Sequence, residues 1–355
     1  MRDATFGETL QRRVAAAWGE RGAIAWALWP LSLVFRAVTA IRRVLFARGL
    51  LRTERVGVPV VVVGNLVAGG AGKTPAVLAV VELLRRRGYR PGIVSRGHGG
   101  SATGAAGIVD VRPDTPAAVC GDEPLLLCRR SGAPVVVGAD RPAAAHTLLR
   151  MHPEVDIVVA DDGLQHLRLH RDAQLIVFDE RGAGNGFVLP AGPLREPIGH
   201  APPPRSVVVY NAAGPTMPWP GGIAARDLAG ATALADWWAG RAPDRDVLTQ
   251  LRGRPLLAAA GMARPQRFFA MLRAHGLDLE TALPLPDHHA FASLPWPAQT
   301  ADVVITEKDA VKLPPGTALG ATRVWVATLD WRLPPACEDA LLRLLPTSSA
   351  SRKEP

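Results

Sequence analysis

Cysteine is scarce: the 355 residues hold three, and Cys120, Cys128 and Cys337 show no CxxC spacing. That excludes a disulfide framework and a zinc knuckle and suits a reducing cytosol. Tyrosine is nearly missing, with two residues, and aromatics reach only 5% although nine tryptophans are present. A stacking platform for single-stranded nucleic acid uses more Phe and Tyr than this. Acidic charge is in deficit, since 41 Lys and Arg against 32 Asp and Glu leave +9 with His neutral. That excess suits an anionic partner, either a membrane face or nucleic acid. With 48% apolar and 21% charged residues, a sizeable core is possible and global disorder is excluded. The length fits two domains of roughly 150 residues each with an appendage.

One apolar run stands out. Ala23 to Phe35 reads AIAWALWPLSLVF without a charge, and Arg36 is the single charge on the way to Ala40. The run approaches the ~20 residues that span a bilayer. Trp26 and Trp29 suit the interface, and Arg42, Arg43, Arg48, Arg52 and Arg55 follow directly. Its depth in the chain argues against a signal peptide, and Pro30 predicts a kink. We read a monotopic or single-helix anchor, its basic face toward an anionic membrane surface and the body on the cytoplasmic side. The competing reading is a buried core helix.

From residue 57 strand-like and helical stretches alternate. Val58–Val63, Gly92–Val94, Pro134–Val137, Val155–Ala160, Gln174–Phe178 and Ser206–Tyr210 read as strands, with helices such as Pro75–Arg87 and Glu123–Arg130 between them. Near-continuous Val and Ile runs imply strands covered on both faces, as in parallel sheets. After a Pro/Gly-rich stretch a second set appears: strand Leu256–Ala260, helix Pro265–His275, strands Asp302–Ile305 and Arg323–Ala327. The expected fold is α/β: two α/β/α lobes with mostly parallel sheets, the N-terminal one P-loop NTPase-like, plus the membrane-associated helix. Boundaries fall at 1–55 (anchor and basic segment), 56–215 (P-loop lobe), 216–345 (second lobe) and 346–355 (disordered tail).

The strongest chemical signal is Gly69-Gly70-Ala71-Gly72-Lys73-Thr74 between a strand and a helix. Glycines let backbone N–H groups converge on phosphate oxygens, and the helix N-terminus adds its positive end. Lys73 is placed to reach the β- and γ-phosphates and Thr74 to ligate Mg²⁺. The full pattern has Gly where this chain has Val67. A second strand ends in Asp161-Asp162-Gly163, at the carboxyl edge where phosphates and Mg²⁺ collect. Asp122-Glu123-Pro124 opens a helix, where acids complement the dipole whether or not they do chemistry. Asp287-His288-His289 lacks a third ligand at metal spacing. Thr306-Glu307-Lys308-Asp309 follows a strand and is read as a helix cap with structural charges.

In order, Gly64-Asn65 with the glycine-rich loop, Ser95-Arg96-Gly97, Gly121-Asp122-Glu123-Pro124, Asp161-Asp162-Gly163-Leu164-Gln165-His166, the run from Leu189 to Pro197, Asp287-His288 and Thr306-Glu307-Lys308-Asp309 resemble the tetraacyldisaccharide 4′-kinases. His98 departs from the family, which usually has Tyr there. The resemblance implies a lipid kinase of the Gram-negative inner membrane, acting on its cytoplasmic face. It would transfer the γ-phosphate of ATP to the 4′-hydroxyl of an acylated glucosamine disaccharide 1-phosphate, forming lipid IV-A. It also implies that Asp122 pairs with His288 and takes the hydroxyl proton, His288 arriving from the other lobe on closure. Glu196 would assist with Mg²⁺, and Arg96 or Arg171 would meet the sugar phosphate. Two other classes compete. A positioning-type ATPase switch shares the GGxGKT loop but wants Lys where this chain has Ala68. A nucleic-acid binder would place its basic residues in an aromatic-laced stripe, whereas here they follow the apolar run.

Overall fold

The computed structural model describes residues 17–101 and 107–346; the expected tail from Thr347 onward lies outside the described residues. In chain order the chain forms α1 (Ala23–Ala47), β1 (Val60–Gly64), α2 (Lys73–Arg86), β2 (Pro91–Ser95) and β3 (Val109–Val111). Then come α3 (Ala117–Cys120), α4 (Asp122–Ser131), β4 (Val135–Val137), α5 (Arg141–Met151), β5 (Ile157–Asp161), β6 (Ala173–Phe178), β7 (Ser206–Tyr210) and β8 (Gly222–Ile223). The remainder holds β9 (Ala225–Ala233), α6 (Leu234–Trp238), α7 (Arg245–Gln250), β10 (Leu256–Gly261), α8 (Pro265–Ala274) and β11 (Leu279–Leu285). It ends with β12 (Asp302–Thr306), α9 (Glu307–Ala310), β13 (Arg323–Arg332) and α10 (Pro335–Leu344).

Two compact units result, and both are discontinuous. Among the described residues the first takes 17–91, 153–224 and 333–346, and the second takes 92–152 and 225–332. The join near residue 224 lies close to the expected one. Two segments differ: residues 92–152, expected in the P-loop lobe, group with 225–332, and residues 333–345, expected in the second lobe, group with the first unit, because a linear reading of the pattern cannot see which neighbour a segment packs on.

In the first unit the strands run in the order β5-β1-β6-β7-β8, every neighbouring pair parallel. All five residues of β1 and of β5 are buried, which is why they read as unbroken apolar runs. Helix α1 runs for 25 residues with Pro30 inside it. It is long and apolar enough to cross a membrane. Its large side chains are not core: Ile24, Trp26, Leu31, Val34, Val38 and Ile41 are all exposed, while Ala25 and Ser32 are the buried positions.

In the second unit β4 pairs parallel with β2 and antiparallel with β3. A further sheet runs β11-β10-β12-β13-β9, parallel except for β13 with β9. Phe268, Phe269 and Leu272 of α8 pack with Leu256, Ala258 and Val304 of this sheet. Strands β9 and β11 have no counterpart in the sequence reading. Their residues, ARDLAGATA and LETALPL, mix small, polar and Pro positions that carry little strand signal.

Candidate active site

In the first unit the loop after β1 is assembled by buried amides. Asn65, fully buried, donates from Nδ2 to the carbonyls of Val67 (2.6 Å) and Gly69 (3.2 Å), curling the chain before the glycines. Asn211, just past β7, donates to the Ala71 carbonyl at 3.1 Å. Gly72 caps α2 at φ +86°, and a Cβ there would collide with the Asn211 amide; only glycine combines that backbone with that contact. Arg181, itself paired with Asp179 at 2.9 Å, donates to the carbonyls of Ala68 (2.8 Å) and Gly70 (3.3 Å). Asn211, Asp179 and Arg181 were not legible as site residues, since each acts on the loop from a distant part of the chain.

Parallel register sets Val63 of β1 beside Asp161 of β5, so the acidic pair lies next to the loop. Asp162 has φ +49°, a left-handed conformation uncommon outside glycine and tolerated best by Asp and Asn. Its carboxylate accepts from Arg195 at 2.7 and 2.9 Å and lies 3.5 Å from the Lys73 ammonium, which also donates to Asn65 Oδ1 at 3.4 Å. Burial pushes the Asp162 carboxyl up, but Lys73 and Arg195 outweigh that and hold it below the usual carboxylate range. Lys73 and Asp162 are therefore in contact, and Asp161 precedes Asp162 as the last residue of β5.

Glu196 pairs with Arg43 of α1 at 3.1 Å and shares with Arg43, Arg171, Leu66 and Gln174 the lining of a cavity of about 150 Å³. Burial raises its carboxyl despite the two arginines. Burial likewise lowers Arg171 to about 10, and its guanidinium donates to the carbonyls of Leu164 (2.8 Å) and His166 (2.9 Å), bracing the loop that follows Asp162.

The residues between β6 and β7 receive α1. Ser32 Oγ donates to the Val188 carbonyl at 2.8 Å and accepts the Ala191 N–H at 2.9 Å. Arg21 donates to the Asn185 carbonyl at 2.9 Å, and Trp26 meets Phe187 edge-on at 5.3 Å. The stretch from Asn185 to Glu196 thus seats the apolar helix and supplies Arg195 to Asp162.

In the second unit Gly121, at φ +94° and with a Cβ position blocked by the His98 carbonyl, turns the chain so that Asp122 opens α4. Asp122 is buried, and its carboxylate lies 2.9 and 3.2 Å from His288 Nδ1. His288, at φ +60°, is another left-handed non-glycine residue; such strain persists where surrounding structure holds it, often at functional sites. Both partners belong to this unit, so no lobe closure is needed to pair them, which corrects the expectation. The hydrogen bond to Asp122 raises the His288 imidazole against its burial. Burial pushes the Asp122 carboxyl up, but His288, Lys308 and Lys312 outweigh it and hold it low. A charged Asp–His pair is thereby favoured, suited to holding and moving a proton. His98, at the family's usual Tyr position, sets its ring 5.9 Å from that of His288, and Arg96 is exposed on the same loop.

Comparison with known proteins gives the family. The family model described as tetraacyldisaccharide-1-P 4′-kinase matches residues 24–346. A tetraacyldisaccharide 4′-kinase of Methylibium petroleiphilum is 54% identical over 97% of this chain and 96% of its own, and one of Leptothrix cholodnii is 52% identical over 96% and 97%. LpxK from Aquifex aeolicus, solved as a crystal structure in complex with ATP, shares the fold at a TM-score of 0.73 and 24% identity, over 91% of this chain and 99% of that one. On this match across nearly its whole length, the chain belongs to the tetraacyldisaccharide-1-P 4′-kinase family.

Proposed function

We propose that the chain transfers the γ-phosphate of ATP to the 4′-hydroxyl of tetraacyldisaccharide 1-phosphate, forming lipid IV-A in lipid A assembly. The observation that carries this reading is the buried Asp122–His288 pair in a chain that also holds a glycine-rich phosphate loop with Lys73 beside Asp162. In our reading Lys73 and the amides of Gly69 to Thr74 hold the triphosphate. The Thr74 hydroxyl and the Asp161 and Asp162 carboxylates are hard oxygen donors that fit Mg²⁺, which needs few protein ligands when phosphates supply the rest. Among the described residues no group of three or more His, Cys, Asp and Glu could hold a metal ion without such help. When bound, Mg²⁺ neutralises charge on the β- and γ-oxygens. Asp122 accepts the hydroxyl proton, and His288 fixes the carboxylate's orientation and keeps it ionised.

Glu196 was expected to assist the metal; its pairing with Arg43 favours a role in tying α1 to the body. The exposed apolar face of α1, followed by Arg42, Arg48, Arg52 and Arg55, supports seating on the anionic cytoplasmic face of the inner membrane, where an acylated substrate resides. The test is transfer of label from γ-labelled ATP in detergent micelles containing the tetraacyl disaccharide 1-phosphate, with glucosamine as control acceptor. Label entering the lipid with wild type and not with Lys73→Ala supports the kinase. ATP hydrolysis without labelled lipid returns the reading to an ATPase switch.

A further inference from the structure

The segment from Thr306 to Lys312 takes no proton and holds no substrate in the chemistry above, yet it borders the Asp–His pair, with Lys312 Nζ 4.0 Å from Asp122 Oδ2. The Lys308 ammonium is 2.9 Å from Asp287 Oδ1 and 3.2 Å from Glu123 Oε1. Asp287 precedes His288 in its loop, and Glu123 follows Asp122 in α4. One cation therefore joins the two stretches of chain that carry the pair. Its own base is rigid. Thr306 caps α9, and fully buried Asp309 accepts the Gly261 N–H at 3.0 Å and pairs with Lys312 at 3.1 Å. Glu307 is held by Arg130 and by the Trp237 indole. The His288 loop is the opposite case: it lies between β11 and β12 without regular structure and takes left-handed backbone at His288 and Phe291.

We propose that Lys308 is a positioning residue for the Asp122–His288 pair: by bridging Glu123 and Asp287 it holds the His288 loop against α4, so that Nδ1 stays within hydrogen-bonding reach of the Asp122 carboxylate. The catalytic consequence rests on the kinase reading; the tether itself does not. Burial opposes the Lys308 charge, but Glu123, Asp122 and Asp287 outweigh it and raise its pKa above the ordinary lysine value, so the tether is charged throughout the working range.

The groups facing His288 are Asp122 from α4, Asp287 from its own loop, Lys308 from α9 and the His98 ring from the loop after β2. The direct effect of the Lys308 charge on His288 is to disfavour the imidazolium, whereas the Asp122 hydrogen bond favours it. Lys308→Met separates the two roles by sign. Losing a bare charge raises the His288 titration point; losing the tether frees His288 from Asp122 and lowers it toward that of a free histidine.

The experiment uses the full chain in detergent micelles with isotope-labelled histidine, the His288 signal being assigned by its loss in His288→Ala. Expected results are a lower His288 titration point in Lys308→Met and recovery in Lys308→Arg. Turnover in Lys308→Met falls by up to about 100-fold, the scale of a misplaced catalytic group, while KM for ATP and for lipid stays within about twofold. In a His288→Ala background, Lys308→Met costs less than a further twofold, since residues acting as a unit are not additive. An unchanged or raised titration point, or a loss that multiplies in full on His288→Ala, overturns the proposal. If Lys308→Met does not fold, Lys308→Gln removes the same charge on a polar side chain and must shift His288 in the same downward direction. Wild type that labels no lipid refutes the kinase reading instead and leaves the titration arm to decide the tether.

Discussion

Ser32→Ala tests how the apolar helix is joined to the body. Ser32 is 3% exposed, and its hydroxyl both donates to the Val188 carbonyl (2.8 Å) and accepts the Ala191 N–H (2.9 Å). Alanine deletes both bonds and leaves a buried donor and acceptor without this partner, at a cost of about 1–3 kcal/mol. Spread over a local opening of α1 from the Val188–Ala191 turn, that is roughly 5- to 150-fold in the opening equilibrium, at about 1.4 kcal/mol per factor of ten. Hydrogen exchange in detergent micelles reads this directly, as faster exchange of the Ala191 amide and of α1 amides near Ser32. Thr39→Ala is the matched control on the same helix, because the Thr39 hydroxyl donates to Phe35 and Arg36 carbonyls of α1 itself. It should change exchange at Ala191 by less than about twofold, the scale of a surface substitution. Equal effects of the two variants, or unchanged protection at Ala191 in Ser32→Ala, would refute the docking argument.

Phosphoryl transfer usually has a loose transition state, in which charge neutralisation outweighs base strength. Lys73→Ala should therefore lower turnover at saturating substrate more than Asp122→Ala does; equal or reversed losses contradict the assignment. The pair also predicts a pH dependence of stability. His288 is raised in the fold, so its contribution is fully present below the free-histidine value of about 6.5 and is lost as pH climbs through the higher folded value. Asp122 is lowered, so its contribution is lost only on acidification below the ordinary Asp range. Denaturant melts should show wild type exceeding Asp122→Asn by most near pH 6, with the gap narrowing toward pH 9; a widening gap would be the wrong sign. Glu196 is raised by burial, so folding favours its protonated form. Relative to Glu196→Gln, wild type should gain stability as pH falls from 7 toward 4.5, and a relative loss over that range would show that the Arg43 pairing dominates.

Local chemistry accounts for most of what could be read without coordinates. The β1 strand, the glycine-rich loop and Lys73 are contiguous, and a phosphate cradle is built from adjacent backbone amides, so its signature survives in one dimension. The same holds for the Thr306 cap, set by a side chain within a turn of the helix end, and for α4 opening at Asp122, set by the adjacent Gly121. The apolar run of α1 was legible too; its exposure, which separates an anchor from a core helix, depends on what packs around it. Tertiary structure alone decided the long-range partners: Asn211 and Arg181 on the loop, Arg195 on Asp162, Glu196 on Arg43, and Lys308 between Glu123 and Asp287. It alone also moved residues 92–152 into the unit that holds His288, so that Asp122 meets its partner within one folded body. Those outcomes depend on which surfaces meet across separations that run from 21 residues of chain (Lys308 with Asp287) to 185 (Lys308 with Glu123), and no spacing rule carries that information, because hydrogen bonds and ion pairs act over a few ångströms of space and are indifferent to distance along the sequence.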